Sequence, residues 1–386
     1  MPNPPQPARR RLLDAAAPPL SPVARQTLLE AVDLGWADPR RLYAEGRRAR
    51  ALLDGARESV AGVLGVGTDA VSFTGSGTVA RQLGLRGLLR GRRRVGDGLV
   101  LSAVEHSALL HTGQWHAAGG GTTSLVPVDG RGRVDLLRFT AAVSAGGVAA
   151  ACLQAANGEV GTRQPVAGAV HACRTAGVPL LLDATGTLGR DDLPGGADVV
   201  VADARSWAGP PGVGVLAVRT GVRWRSDGPA DEHEHGRVPG EPDVPAVLAA
   251  AAALLDAEEH RARRASVAHA LVERIRAAAA AVPDTEVVGD PVDRLPHVST
   301  FSFLFVDGEA LVHELDRRGF AVASGSACTA STLEPSHVLA AMGVLTHGNL
   351  RVTLPLEPVE ADVDAFCAVL PETVAQVRRV LGTEGL

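Results

Sequence analysis

A few residues in this 386-residue chain have types and settings that suit chemistry. Cys328 stands in Ala323-Ser324-Gly325-Ser326-Ala327-Cys328-Thr329, among small residues and beside no large apolar side chain. A loop thiol of this kind is the best nucleophile candidate of the four cysteines, because reactivity requires access and a polar setting. His106, in VEHSALL, and Asp183, closing VPLLLD, each lie at or just past the end of an apolar run. A carboxylate at the C-terminal end of a central parallel strand sits where α/β sheets bind ligands. An imidazole there either acts on a ligand or is a satisfied structural histidine. Thr74-Gly75-Ser76-Gly77-Thr78 links a strand-like run to a helical one. Its glycines let the backbone approach an anion at a helix N-terminus, with the Thr78 hydroxyl as a further donor. The same turn is also compatible with a purely steric need for glycine.

Residues 202–213, ADARSWAGPPGV, connect the apolar runs 197–202 and 213–218. Strand–loop–strand segments often carry chemistry, yet the centre of this one is Arg205-Ser206. The chain contains no lysine, so all 38 basic residues are arginine. With abundant alanine and glycine, this reads as compositional bias of the source genome. Such bias exchanges surface lysine for arginine at little cost. It cannot replace a lysine that forms an imine, because arginine does not deprotonate.

Composition excludes several classes. A net charge of -5 argues against binding nucleic acid by phosphate neutralisation. The basic run at 90–94 (RGRRR) reads as a solvated connector, and 3% aromatic content leaves little for base stacking. The most apolar stretch, 244–255, is too short to span a bilayer. Cys152, Cys173, Cys328 and Cys367 show no C-x-x-C or framework spacing, which suits a reducing cytoplasm. Cys152 reads as part of a strand, and Cys173 and Cys367 as parts of helices, where the default is a buried small hydrophobe. His233 and His235, in DEHEH, are too weak a pattern for a metal site, and none is expected. The Pro-rich, basic start MPNPPQPARRR lacks an apolar segment behind it and reads as a disordered tail, not a signal peptide.

The elements that must position these residues follow from periodicity. Runs at 71–73, 99–103, 148–153, 178–182, 199–202 and 213–218 read as buried strands, with helical segments such as 165–176 between them. That alternation implies a mostly parallel sheet covered on both faces. Residues 243–282 are Ala-rich and helical, broken at 258–264. An alternating strand at 297–305, a helix at 308–318, a short strand at 320–323 and a helix at 361–381 then read as a smaller α+β unit. The expected organisation is a tail at 1–11, a large α/β domain at 23–252, and a small α+β domain formed by 12–22 with 253–386. The small domain carries the cysteine loop.

In their order these pieces resemble the cysteine desulfurases of the class V aminotransferase group. LLDAAAPPLSP is similar to the family's L-D-x-x-A-T-T-P segment and FTGSGTVARQL to its phosphate cup. VEHSALL is similar to the ring-stacking histidine segment, AANGEVG to A-N-N-E-x-G, and LLDATGTLG to V-D-A-T-Q. SGSACTASTLEPSHVLAAMG is nearly the long cysteine loop of the subgroup in which that loop is extended and mobile.

The resemblance implies a type I fold of pyridoxal phosphate (PLP)-dependent transferases, a seven-stranded-type sheet and a homodimer. It also implies conversion of L-cysteine to alanine with a persulfide left on Cys328, and a sulfur-acceptor protein downstream. By the same resemblance, Gly77 and Thr78 would contact the cofactor phosphate and His106 would stack on its ring. Asp183 would pair with the ring nitrogen, Asn157 would contact cofactor or substrate, and Arg351 would hold the substrate carboxylate.

Departures from the family gather on the cofactor side. Its S-G-H-K aligns with Asp203-Ala204-Arg205-Ser206, so Ser206 stands at the lysine position and Arg205 beside it. Gly186 stands for a glutamine, Val238-Pro239-Gly240-Glu241 for R-x-G-T, Val79 for a glutamate and Leu356 for an arginine. The expectation is therefore a divergent sulfur-transfer protein in which PLP is weakly held, non-covalent or lost. The alternative is a pseudoenzyme acting as partner or regulator in a sulfur-transfer pathway.

Overall fold

The computed structural model describes residues 10–16, 18–229, 231–324 and 335–382. In chain order it contains β1 (Arg11–Leu12), α1 (Pro22–Val32), α2 (Ala44–Leu64), β2 (Val71–Thr74), α3 (Gly77–Arg92), β3 (Gly98–Ser102) and α4 (Ser107–Ala118). There follow β4 (Thr122–Val126), α5 (Leu136–Ser144), β5 (Val148–Gln154), α6 (Val166–Ala176), β6 (Leu180–Asp183), β7 (Val199–Asp203) and β8 (Gly214–Val218). The rest comprises α7 (Val244–Glu259), α8 (Arg261–Ala280), β9 (Thr285–Val288), β10 (Val298–Phe303), α9 (Gly308–Arg317), β11 (Phe320–Ala321), α10 (His337–Met342), β12 (Asn349–Thr353) and α11 (Glu360–Val380).

The seven-stranded sheet has the order β2-β8-β7-β6-β5-β3-β4 and is parallel except for β8, which runs antiparallel to both neighbours. β5, β6, β7 and β8 are buried at every position, as expected of strands covered on both faces. One apolar cluster holds Phe73, Leu153, Leu182 and Trp207 with α2 and α7. The other holds Leu101, Cys152, Leu181 and Leu216 against α3. α3 lies close to the sheet because Gly84 faces it: a Cβ there would stand 2.9 Å from Leu181 Cδ1.

The second unit is the sheet β12-β10-β9 under α8, α9 and α11. Its core contains Phe301, Phe303, Phe320, Leu350 and Phe366. The chain start joins this unit: Arg11 and Leu12 pair with Phe320 and Ala321, and Asp14 bridges to Thr353. Regular structure thus begins at Arg11, inside the stretch expected to be tail; residues 1–9 lie outside the described residues. The Ala-rich helical stretch is two helices, broken within 258–264 as expected, and His260 sits between them with its N–H donating to the Asp256 and Glu258 carbonyls. No helix among the described residues is long and apolar enough to cross a membrane.

Candidate functional site

The C-terminal ends of β3, β5, β6 and β7 open onto one cavity of about 390 Å³, the position at which open α/β sheets bind ligands. His106 follows β3, Asn157 follows β5, Asp183 ends β6, and Asp203, Arg205 and Ser206 lie at and beyond the end of β7. The facing wall comes from the smaller unit: His297, Arg351 and Thr353, with His337 from α10. The cavity therefore gathers His106, Asn157, Asp183, Arg205, Ser206 and Arg351. Gly77 and Thr78 do not line it, and Thr78 is exposed on the first turn of α3. Cys328 lies outside the described residues.

The reason Gly77 is shut off is Asp203. Its Oδ2 accepts a hydrogen bond from the Gly77 N–H at 3.1 Å, so a carboxylate already occupies the first donor of the helix N-terminus. The fit is tight: a Cβ on residue 77 would stand 2.5 Å from Asp203 Cβ. Asp203 Oδ1 accepts from the Arg205 N–H at 3.0 Å. The Arg205 guanidinium, half exposed, is 3.4 Å from the same oxygen, a weak solvent-screened pair. Ser206 turns inward to its own strand end, donating its hydroxyl to the Asp203 carbonyl at 2.7 Å. The short 3-10 turn Ala204–Trp207 is pinned by Trp207, fully buried, which donates to Ala250 on α7 at 3.0 Å.

Asp183 is also engaged. Arg81, one turn into α3 and 3% exposed, donates Nε to Asp183 Oδ2 at 2.6 Å and Nη2 to Oδ1 at 3.2 Å. Arg81 Nη2 also meets Thr185 Oγ1 at 2.6 Å. Burial alone would raise the Asp183 carboxyl, but the Arg81 charge and fork outweigh it and hold the group below the usual carboxylate range. Arg81 carries no recognisable signal in the sequence, where an arginine in a helix defaults to solvent.

His106 caps α4, its Nδ1 accepting from the Ala108 N–H at 3.1 Å, which leaves the ring proton on Nε2. Burial, reinforced by the Arg81 charge, pushes the imidazole down to about 4. Asn157 lines the cavity but braces its own turn: Oδ1 accepts from Glu159 and Val160 at 2.9 Å each, and Nδ2 donates to the Val104 carbonyl at 3.1 Å. Glu105, adjacent to His106, is fully buried and accepts from the Gln154 N–H at 3.0 Å. Burial pushes it up to about 8, so it is a neutral acid at pH 7. Glu159 is pushed up to about 7 by the same cause.

Both ends of the cysteine segment are fastened at the cavity. Ala323 and Arg351 exchange backbone hydrogen bonds at 2.6 and 3.2 Å. On the far side Ser336 caps α10, donor distance 3.3 Å, and His337 Nε2 meets the Glu105 carbonyl at 3.0 Å. Cys152 and Cys173 are buried in β5 and α6, and Cys367 is half-buried in α11. Burial raises all three thiols, Cys152 the most and Cys173 to about 12.

The family model described as aminotransferase class-V matches residues 12–366. The chain is a member of the class-V aminotransferase family. Within it, this chain is 35% identical to a cysteine desulfurase of Cereibacter sphaeroides over 373 residues, which is 93% of this chain and 94% of that one. It is 31% identical to the cysteine desulfurase NifS of Azotobacter vinelandii over 353 residues, 89% and 87% of the two chains. A solved NifS-like protein superposes with a TM-score of 0.88 at 25% identity, covering 95% of this chain and all of that one. The architecture is accordingly the type I fold of PLP-dependent transferases, and the chain is cysteine desulfurase-like.

The residues present in this class-V aminotransferase depart from the family's PLP site at three points. There is no lysine to form an imine. The Asp203 carboxylate stands on the Gly77 N–H, where a phosphate dianion would be repelled. Both oxygens of Asp183 are already held by Arg81. Among the described residues no group of three or more metal-binding side chains forms. Glu234, from the DEHEH run, is instead a buried ion-pair partner of Arg57 at 2.8 Å.

Proposed function

We propose that this chain is a sulfur-transfer protein of the cysteine desulfurase group that carries sulfur on Cys328 without performing PLP-dependent desulfuration. The observation that supports it most is the Asp203–Gly77 hydrogen bond, which places a fixed internal anion at the helix terminus suited to a cofactor phosphate. The cysteine loop keeps nearly every family position although the lysine is gone. Its flanks are tied to Arg351 and Glu105, at the mouth of the cavity. The three other thiols are all raised in pKa by burial and are poor competitors for sulfur.

The step needs no cofactor. The Cys328 thiolate attacks the terminal sulfur of a donor persulfide, and a new sulfur–sulfur bond forms. The donor's sulfur–sulfur bond breaks and its cysteine leaves as thiolate. Cys328 then holds a persulfide for a sulfur-acceptor protein. Free cysteine would enter only through a partner that extracts its sulfur. We further propose that the protein is a cytoplasmic homodimer. Exposed apolar side chains between α1 and the start of α2 include Trp36, 65% exposed, and Leu42, 87% exposed.

The test is to incubate the protein with an active cysteine desulfurase, cysteine and PLP, then to map added sulfur by peptide mass spectrometry. Sulfur on Cys328, absent in Cys328→Ala, supports carriage. An unmodified Cys328 beside a fully loaded donor leaves the pseudoenzyme reading, in which the chain acts as a partner or regulator.

A further inference from the structure

The sulfur-carrier reading leaves one buried cation of the cavity without a task. Arg190 is 6% exposed and lines the cavity. One terminal nitrogen, Nη2, donates to the Leu354 carbonyl; the other, Nη1, is buried with no hydrogen-bond partner. Among the described residues Arg190 forms no ion pair; burial disfavours its charged form, and the charge that adds to this is another arginine, Arg264. Burying a guanidinium without a counter-charge is unfavourable, and native proteins tolerate it where something else supplies the charge.

Three further donors or polar groups surround the same place. Arg351 and Thr353 alternate along β12 and so share a face. Arg351 Nε and Thr353 Oγ1 are both buried without partners. His297 is 6% exposed, its Nδ1 is unpartnered, and its carbonyl accepts from the Leu354 N–H at 2.9 Å, the residue that also anchors Arg190. All four line the cavity. Of the carboxylates lining the cavity, Asp183 is held by Arg81, Asp203 by the Gly77 and Arg205 amides and Glu105 by the Gln154 N–H, while Glu159 keeps one buried oxygen without a hydrogen-bond partner. Asp14 approaches Arg351 at 3.6 Å from Nη2, and the Arg351 charge also acts on the buried Glu159.

We propose that the cavity binds a small dicarboxylate, with one carboxylate on Arg351 and the other on Arg190, the latter flanked by Thr353 and His297. The second anion subsite is the new element, and it stands on Arg190 alone, independent of sulfur on Cys328.

Calorimetric titration of the full chain with succinate, glutarate, butyrate and inorganic sulfate tests it. Succinate or glutarate binds about tenfold or more tighter than butyrate, the worth of one added charged hydrogen-bonded pair. Arg190→Gln brings the dicarboxylate down to the butyrate level while butyrate changes less than about twofold, and Arg351→Gln weakens both. Should Arg190→Gln not fold, Arg190→Lys keeps the charge without the fork and loses dicarboxylate affinity several-fold with butyrate unchanged. Equal affinity for dicarboxylate and butyrate, sulfate binding as tightly as either dicarboxylate, or an unaltered preference in the Arg190 variants overturns the proposal. The same titration on Cys328→Ala gives the same preference, so failure here is distinct from failure of the sulfur-carrier reading.

Discussion

Asp203 Oδ2 lies 3.1 Å from the backbone nitrogen of Gly77, so the end of β7 supplies the anion that the start of α3 attracts. The pairing follows from chain geometry. β2 and β7 flank β8, and their C-terminal ends point the same way, which brings the start of α3, just past β2, against the last residue of β7. A carboxylate within the first turn of a helix is favourable to the helix dipole, and here it also satisfies an N–H that would otherwise be orphaned.

The first prediction follows from that contact. Borohydride reduction of the protein with PLP leaves its intact mass unchanged, because no lysine exists to be trapped. Asp203→Ser removes the internal anion and raises affinity for inorganic phosphate about tenfold or more in calorimetry, at a cost of about 1 kcal/mol for the lost cap. Equal phosphate affinity in both proteins would show that Asp203 does not guard this terminus. Gly77→Ala forces a methyl against Asp203 Cβ and destabilises the fold by about 1–3 kcal/mol.

Arg81 and Asp183 form the second. Both are buried, so removing one partner leaves an uncompensated charge. Arg81→Met costs about 3–5 kcal/mol at neutral pH by denaturant unfolding. The loss shrinks toward acid pH, because an unpaired buried Asp183 takes a proton instead. Arg81→Met with Asp183→Leu recovers most of the stability. A single Arg81 variant as stable as the parent would mean the pair contributes only geometry.

How much of this was legible in sequence depends on the kind of signal. The strands of the central sheet are uninterrupted apolar runs, and their order along the chain implied the parallel sheet. β4 was not legible: Thr122–Val126 is an edge strand with mostly exposed side chains, so it lacks the apolar run. β12 escaped because Asn349 and Arg351 break its pattern; the polar Arg351 faces the cavity rather than the core. The cavity residues His106, Asp183 and Arg351 could be placed at strand ends or within motifs. Asp203 and Arg81 could not, since their importance lies in what they touch across 126 and 102 residues of sequence. Glu234 was hidden for the same reason. It reads as one acid in an exposed run, yet it accepts from the Phe73 N–H at 2.6 Å and from Arg57.

His106 gives the third prediction. Its Nδ1 accepts a backbone hydrogen bond, and burial disfavours the charged ring, so it remains neutral until about pH 4. The unfolded ring titrates near 6.5, so this site loses stability as pH falls from about 6.5 toward 4. An NMR titration of the ring reads the value directly. His106→Ala costs about 1 kcal/mol for the lost cap of α4, while His106→Asn retains most of it. A ring that titrates near 6.5 in the folded protein contradicts this arrangement.

The last prediction concerns Glu105 and pH. Its folded value is raised by burial to about 8 from 4.5, so the folded protein holds a proton that the unfolded chain releases. The sign follows: stability from this site is complete below about pH 4.5 and is lost as pH rises through about 8. Ionisation at high pH would put a carboxylate among Gln154, Cys152 and the nearby Asp183, with no cation among the described residues donating to it and the Arg81 charge only partly offsetting burial. Glu105→Gln keeps the shape and an N–H donor where the acid proton stood, and it cannot ionise. The variant should match the parent near pH 5 and exceed it near pH 9 by an amount on the order of a few kcal/mol. Chemical denaturation of both proteins across that range measures the difference, and parallel stability curves would place the Glu105 proton loss well below pH 5 and refute the neutral-acid assignment.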